Sequence, residues 1–297
     1  MKKNLLALLL TATLSVGLLA GCGSSSSSSS DASKSSSASG TAASATSDDD
    51  KTIKVAASQT PHSEILEQAK PILEKEGYKL EVTVFEDYVQ PNNVVESGEF
   101  DANYFQHVNY LNSFNKENGT HLVIADNGKI HYEPFGIYGG TKKSLGDIAD
   151  GDSIAIPNDT TNEARALLLL QQEKLITLKD GVGVTATVND VKENPHNLKL
   201  VEVEAAQVSK QLGSVAFGVI NGNYALEAGL NVSKDALATE SAEGDAIQQY
   251  VNVIAVKDGN QSSPKIKALT DALHSDTIKK YITDHYEGAV VAYDGEQ

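Results

Sequence analysis

The chain holds a single cysteine, Cys22, among its 297 residues. An internal disulfide is thereby excluded. Positive charge is short as well: 24 Lys and Arg stand against 40 Asp and Glu, for a formal charge of −16 at pH 7. Nucleic-acid binders need clustered Lys and Arg, so that class is excluded too. The signatures of common catalytic sites are missing. There is no G-x-S-x-G elbow, no H-E-x-x-H, no P-loop and no G-x-G-x-x-G, which argues against an enzyme of those classes. Among the seven histidines no pair has zinc-site spacing. His107, His131 and Glu133 could still meet as metal ligands in three dimensions. The competing view is that scattered histidines are surface or hydrogen-bonded core groups, and no metal is expected. No internal repeat is present, and no apolar run reaches the roughly 20 residues of a membrane-spanning helix.

The longest apolar run, Leu5 to Ala20, follows Lys2 and Lys3 and leads into Gly21-Cys22. A charged start, an apolar middle and small residues at the boundary describe a secretory signal over residues 1–21. The boundary Leu19-Ala20-Gly21-Cys22 resembles the bacterial lipobox, in which the cysteine is lipidated and becomes the new N-terminus. Cys22 is therefore expected to carry acyl chains such as palmitate. These would anchor the protein to the extracytoplasmic face of the cell membrane. Each buried methylene contributes about 0.8 kcal/mol, so two or more chains hold durably. Loss of Lys2 and Lys3 with the signal leaves a charge of −18. Anionic lipid repels such a body, so the anchor must do the holding. Residues 22–50, the lipidated cysteine and a stretch of mostly Ser, Ala, Thr and Asp, bury too little to fold and are expected to form a tether.

After Lys51 the pattern changes. Thr52–Ser58, Leu80–Phe85, Ala102–Phe105 and Leu122–Ala125 read as strands, and Val94–Gly98 and Val108–Asn118 as helices. Ile65, Leu66, Ala69, Ile72 and Leu73 recur at helical spacing after Thr60-Pro61, which predicts Thr60 as N-cap and Pro61 at the first helical position. Pro71 inside that helix predicts a kink. In the second half Ser153–Ile156, Leu198–Val203, Val215–Ile220 and Tyr250–Val256 read as strands. Helices are expected over Thr161–Leu175, Ala205–Leu212, Lys265–His274 and Thr277–His285. Alternation of strands and helices predicts an α/β fold with a largely parallel sheet. The order suggests two lobes, one of residues 51–137 plus 247–297 and the other of 138–246. Ligands of open α/β sheets bind beyond the carboxyl ends of strands, so the natural site is the cleft between the lobes.

Three stretches could supply that site. In Pro157-Asn158-Asp159-Thr160-Thr161-Asn162-Glu163-Ala164-Arg165, a strand runs into a helix with capping-box spacing from Thr160 to Glu163. Arg165 lies one turn in, where it can fork onto a carboxylate, and Asn162 shares its face. An ordinary capped helix with a surface arginine is the equal alternative. In Asp101 to Leu111, Phe105, His107 and Tyr110 cluster where a strand meets a helix, with Tyr88 placed similarly after Leu80–Phe85. Aromatics at strand ends are also common core residues. Asn221 ends the apolar strand Val215–Ile220, and Asn252 interrupts the apolar run Val251–Val256. Either is a candidate for the polar end of a ligand, or respectively a turn residue and a satisfied buried amide.

From Thr52 to about Tyr293 the chain resembles the NlpA/MetQ family of methionine-binding lipoproteins. The residues that carry the likeness are Phe85-Glu86-Asp87-Tyr88 with Pro91-Asn92, and Tyr104-Phe105-Gln106-His107 with Tyr110-Leu111. Pro157-Asn158-Asp159 through Asn162, Arg165 and Ala166-Leu167-Leu168 adds to them. So do Glu193-Asn194-Pro195 with Asn197-Leu198, Glu204-Ala205-Ala206-Gln207 and Tyr250-Val251-Asn252. The likeness implies a two-lobed, type II-like periplasmic-binding-protein fold that closes on a free amino acid. Arg165 would pair with the ligand carboxylate, and Asn162, Asn221 and Asn252 would bind its polar end. Tyr88, Phe105, His107 and Tyr110 would enclose its side chain. L-methionine is the implied ligand, with D-methionine, a methionine dipeptide or another small amino acid as alternatives. A metal-binding lipoprotein of a metal-ion importer is the rival class. The likeness further implies a monomer without cofactor that serves an ABC permease and its ATPase. Phe135 departs from the family, where a smaller or flexible apolar residue is common, and could alter the pocket or hinge.

Overall fold

The computed structural model describes residues 51–240 and 245–295. The expected signal, Cys22 and the tether lie outside the described residues. In chain order the first elements are β1 (Thr52–Ala57), α1 (Glu64–Lys75), β2 (Lys79–Val84), α2 (Gln90–Glu96), β3 (Ala102–His107), α3 (Val108–Asn118) and β4 (Leu122–Tyr132). There follow β5 (Gly136–Gly139), β6 (Ser153–Pro157), α4 (Thr160–Gln172), β7 (Thr177–Leu178), β8 (Val191–Glu193), β9 (Lys199–Val203), α5 (Ala205–Val208) and β10 (Phe217–Ile220). The last are α6 (Gly222–Glu227), α7 (Val232–Asp235), β11 (Ala236–Thr239), α8 (Asp245–Tyr250), β12 (Val251–Lys257), α9 (Pro264–Leu273), α10 (Asp276–Tyr286) and β13 (Val291–Ala292).

Two main sheets result. A six-stranded sheet runs β13-β4-β12-β3-β1-β2, and a five-stranded sheet runs β11-β5-β10-β6-β9. The chain leaves the first sheet after Tyr132 and joins the second at Gly136. It leaves the second after Thr239 and rejoins the first at Val251. The expectation of largely parallel sheets is corrected. β1 pairs parallel with β2 and β3, but β12 is antiparallel to both β3 and β4. In the second sheet β6 is parallel to β9 and β10, while β5 is antiparallel to β10 and β11. The strands that follow each crossing run in reverse because they start at the carboxyl ends of their neighbours: Gly136 stands opposite Ile220, and Asn252 opposite His107.

Burial explains these elements. Ile65, Leu66, Ala69 and Leu73 form the inner stripe of α1 and pack with Ile53 and Val55 of β1, and with Leu269 and Leu273 of α9. Burying one such side chain contributes about 1.5–3 kcal/mol. In the second core, Ile154 and Ile156 of β6 pack with Ala166, Leu167 and Leu170 of α4 and Phe217 of β10. Two helix starts differ from expectation. Thr60 is extended (φ −125°, ψ 135°), and the regular helix begins at Glu64. The Thr60 hydroxyl instead donates to the Glu64 carboxylate. The helix then runs unbroken through Pro71. At α4 the cap is Asp159 rather than Thr160: its carboxylate accepts the Asn162 N–H at 3.1 Å, and Glu163 accepts from Val188 N–H.

Candidate functional site

A narrow cavity lies where the strand ends of both sheets meet, with free room of about 20 Å³, well under the roughly 300–1,000 Å³ of an open ligand pocket. From the first sheet's side come Tyr88 after β2, Phe105 to His107 at the end of β3, Tyr110 on α3, Glu133 after β4 and Asn252 on β12. From the second come Asn162 and Arg165 on α4 and Asn221 to Asn223 after β10. All eight residues singled out from sequence therefore line one cavity.

One wall is aromatic. Tyr88 stands 5.7 Å from Phe105 and 5.6 Å from Tyr110, ring centre to ring centre, and stacks on Tyr224 at 4.9 Å. Rings at such spacing attract each other beyond simple burial. The Tyr110 hydroxyl donates to Tyr88 O at 3.0 Å, and the Tyr88 hydroxyl donates to Asn223 Oδ1 at 2.5 Å. Tyr88 thus ties the wall to the first turn of α6. Burial raises the pKa of Tyr88 far above its ordinary value, so it stays a neutral donor.

His107 and Asn162 act as a bracket. His107 Nδ1 accepts the Tyr110 N–H at 3.1 Å, so Nε2 carries the proton and donates to Asn162 Oδ1 at 3.1 Å. Burial, reinforced by the Arg165 charge, lowers the pKa of His107 to about 3. Asn162 Oδ1 accepts a second bond, from Asn221 Nδ2 at 2.9 Å, and Asn162 Nδ2 donates to Asp159. Every polar group of the Asn162 side chain is thus engaged. Asn221 differs: its Oδ1 is buried with no hydrogen-bond partner among the described residues. A buried acceptor left open is costly, by roughly 1–3 kcal/mol, unless something fills it.

Arg165 is bound differently from the sequence expectation of a free fork. Its Nε donates to Glu240 Oε2 at 2.8 Å, and its Nη2 donates both to Glu240 Oε1 and to Glu133 O at 2.9 Å. Only Nη1 makes no hydrogen bond with the described residues. The guanidinium lies 4.1 Å from the Tyr250 ring centre and 4.8 Å from that of Phe135. Burial works against its charge, but the Glu240 carboxylate holds its pKa above the ordinary value. Phe135 is therefore packed beneath the cation, and its N–H donates to Glu240 Oε1 at 2.9 Å.

Glu133 sits in a buried cluster with His62 and His131, whose donor atoms lie within 4.8 Å of one another. His107 is not in this group; it faces Asn162, which corrects the trio considered from sequence. His131 Nε2 donates to Glu133 Oε1 at 2.8 Å, and its Nδ1 accepts from the Tyr104 hydroxyl at 2.5 Å. His62 Nε2 donates to Asn252 Oδ1 at 3.0 Å, and its Nδ1 accepts from Ser58 at 2.6 Å. Burial lowers His62 to about 4, with Glu133 pulling the other way, and lowers His131 to about 3. It raises Glu133, with neighbouring His62 and the Arg165 charge working the other way. Two neutral rings and a carboxylate are a donor set that could take a divalent metal, yet each ring nitrogen already has a protein partner. Gly222 is the contact that lets Glu133 in: a Cβ there would stand 2.6 Å from Glu133 Oε2.

Glu133 was legible only as a possible metal ligand, and Glu240, His62 and Gly222 were not singled out at all. His131 and Glu133 stand two apart, the spacing of one strand face, which is a signal for their meeting. Glu240 carries none, because it meets Arg165 across 75 residues.

Lobes built on two sheets, joined by two crossings and enclosing a polar-and-aromatic cavity at their strand ends, define a solute-binding protein of the two-lobed periplasmic type. The NlpA lipoprotein family matches residues 53–293, and the chain belongs to that family. It is 44% identical over 246 residues to the methionine-binding lipoprotein MetQ of Bacillus subtilis, covering 81% of this chain and 88% of that one. It is 39% identical over 246 residues to the D-methionine-binding lipoprotein MetQ of Escherichia coli, covering 82% and 89%. A nutrient binding protein from Burkholderia cenocepacia, solved bound to methionine, superposes with a TM-score of 0.76. It is 43% identical, with 81% of this chain and 99% of that chain covered.

Proposed function

We propose that this protein is an extracytoplasmic lipoprotein that captures free methionine and delivers it to an ABC importer, with no chemistry on the ligand. The observation that carries the reading is the pairing of opposite open groups in one cavity. Arg165 Nη1 and the unpartnered Asn221 Oδ1 stand at the second sheet's side. Glu133 stands with Asn252 at the first. A zwitterion fits this arrangement: its carboxylate goes to Arg165, and its ammonium goes to Glu133 and Asn221. The ammonium restores to Glu133 the favourable charge that burial removes. Tyr88, Phe105 and Tyr110 then flank an unbranched thioether, which gains from aromatic edges. Asn162 and His107 hold the wall in register instead of meeting the ligand through free polar atoms.

On this reading the lobes are residues 51–137 plus 247–297 and residues 138–246; the change of sheet after Tyr132 and after Thr239 supports crossings near these bounds, although Gly136 and Ile137 already pair in the second sheet. Ligand that touches both favours the closed form, which would dock on a permease driven by a separate ATPase. Acylated Cys22 would keep the binder at the membrane. The relatives' names support methionine, and the E. coli name supports the D enantiomer as the second candidate. Mass spectrometry of what purified protein releases on denaturation tests the reading. Methionine, of either hand by chiral separation, supports it; a released metal ion or a non-amino-acid ligand overturns it.

A further inference from the structure

Among the described residues Arg165 is the only Lys or Arg lining the cavity, and the three histidines nearby are held neutral by burial. An uncompensated guanidinium there would make the pocket a receptor for organic anions. The carboxylate behind it prevents this. Glu240 does not line the cavity. It accepts from Arg165 Nε and Nη2, from the Tyr132 hydroxyl at 2.5 Å and from Phe135 N–H at 2.9 Å. Its own N–H donates to Phe135 O at 3.0 Å. Four donors therefore hold this carboxylate on the Nε and Nη2 edge of the cation, outside the cavity lining.

We infer that Glu240 sets the charge class of ligand that the pocket accepts. By cancelling Arg165 from behind, it leaves a dipolar site that suits a net-neutral zwitterion and not an anion. This rests on the reading that Arg165 Nη1 meets the ligand carboxylate. The charge tally follows from the groups around the cavity. Arg165 and Glu240 sum to zero, and Glu133 on the opposite side favours a cationic group. An amino acid satisfies both ends. A carboxylate lacking the amine meets a cation already neutralised from behind and leaves the Glu133 charge to its protein partners alone, the hydrogen bond from His131 among them. Removing the charge of Glu240 exposes the full guanidinium charge. At separations of about 6–8 Å and an effective dielectric near 20, that change is worth roughly tenfold or more in affinity for a net anion.

The test compares three ligands of one shape: L-methionine, the anion 4-(methylthio)butanoate and the cation 3-(methylthio)propylamine. Affinities are read by calorimetry, or by thermal shift at millimolar ligand where binding is weak. Wild type is expected to prefer methionine to both. Glu240→Gln should raise the ratio of anion to methionine affinity at least tenfold and lower that of the amine. Glu240→Asp retains the charge, so it should keep the wild-type order of preference even if all affinities fall. A Glu240→Gln variant that shifts all three ligands by one common factor overturns the inference and leaves the methionine reading standing. A wild type that binds the anion better than methionine also overturns it. Wild type that binds no methionine overturns both.

Discussion

Replacing Arg165 by Met removes a buried cation with two separate jobs, and the structure assigns each a magnitude. Towards the protein, Arg165 neutralises Glu240, whose side chain is 11% exposed. Leaving one member of a buried pair without its partner costs about 3–5 kcal/mol. Tyr132 and Phe135 still donate to Glu240, so the loss should fall near the low end, about 3 kcal/mol. Towards the ligand, only Nη1 is open, so the loss in binding should also be at the low end of the range for truncated charge pairs, about 2 kcal/mol or roughly 30-fold. The double variant Arg165→Met/Glu240→Gln separates the two. It removes the unpaired charge, so stability in urea should return to within about 1 kcal/mol of wild type, because neutral replacements of buried pairs are well tolerated. Calorimetric affinity for methionine should stay low. Recovery of wild-type affinity in the double variant would refute the placement of the ligand carboxylate on Arg165.

Other outcomes follow from the same geometry. Gly222→Ala places a Cβ 2.7 Å from Glu133 Cβ, a near-backbone atom that cannot swing away; Glu133 must move, and calorimetry should show at least about tenfold weaker methionine binding, in line with the cost of a misaligned charged group. His107 takes up its proton at about 3 when folded and near 6.5 when unfolded, so protonation favours the unfolded chain and stability falls as pH drops below 6.5. Between pH 6.5 and 5 wild type should lose about 1.5 kcal/mol more than His107→Gln in urea titrations; parallel profiles would contradict the buried neutral ring. Cys22→Ser should move the protein from the membrane fraction to the soluble extracytoplasmic fraction, and retention at the membrane would argue against a lipid anchor at that residue.

Much of the fold was readable because burial writes itself into local pattern. The run Val251–Val256 is buried throughout and reads as a strand without ambiguity. β4 was seen only to Ala125 because Asp126, Asn127 and Gly128 interrupt its apolar alternation; Asn127 takes φ 55°, and apolar burial resumes only at Ile130, after the buried Gly128. β5 is four residues bounded by glycines, too short for a periodic signal. Strand direction has no local signature, which is why mixed sheets were expected as parallel ones. In the site, the eight candidate residues stood out by position, at strand ends and helix starts. What they bond to did not. The Asp159 cap on α4, the pairing of Arg165 with Glu240 and the orientation of His62 towards Glu133 all depend on partners brought close only by folding.

A crystal structure of the methionine complex tests the central claim most directly. The account predicts one methionine in the cavity, its carboxylate within hydrogen-bond distance of Arg165 Nη1, its ammonium within reach of Glu133 and Asn221 Oδ1, and its thioether against Tyr88, Phe105 and Tyr110. Glu240 should remain bound to Nε and Nη2. Methionine bound elsewhere, or with its ammonium facing Arg165, would contradict it.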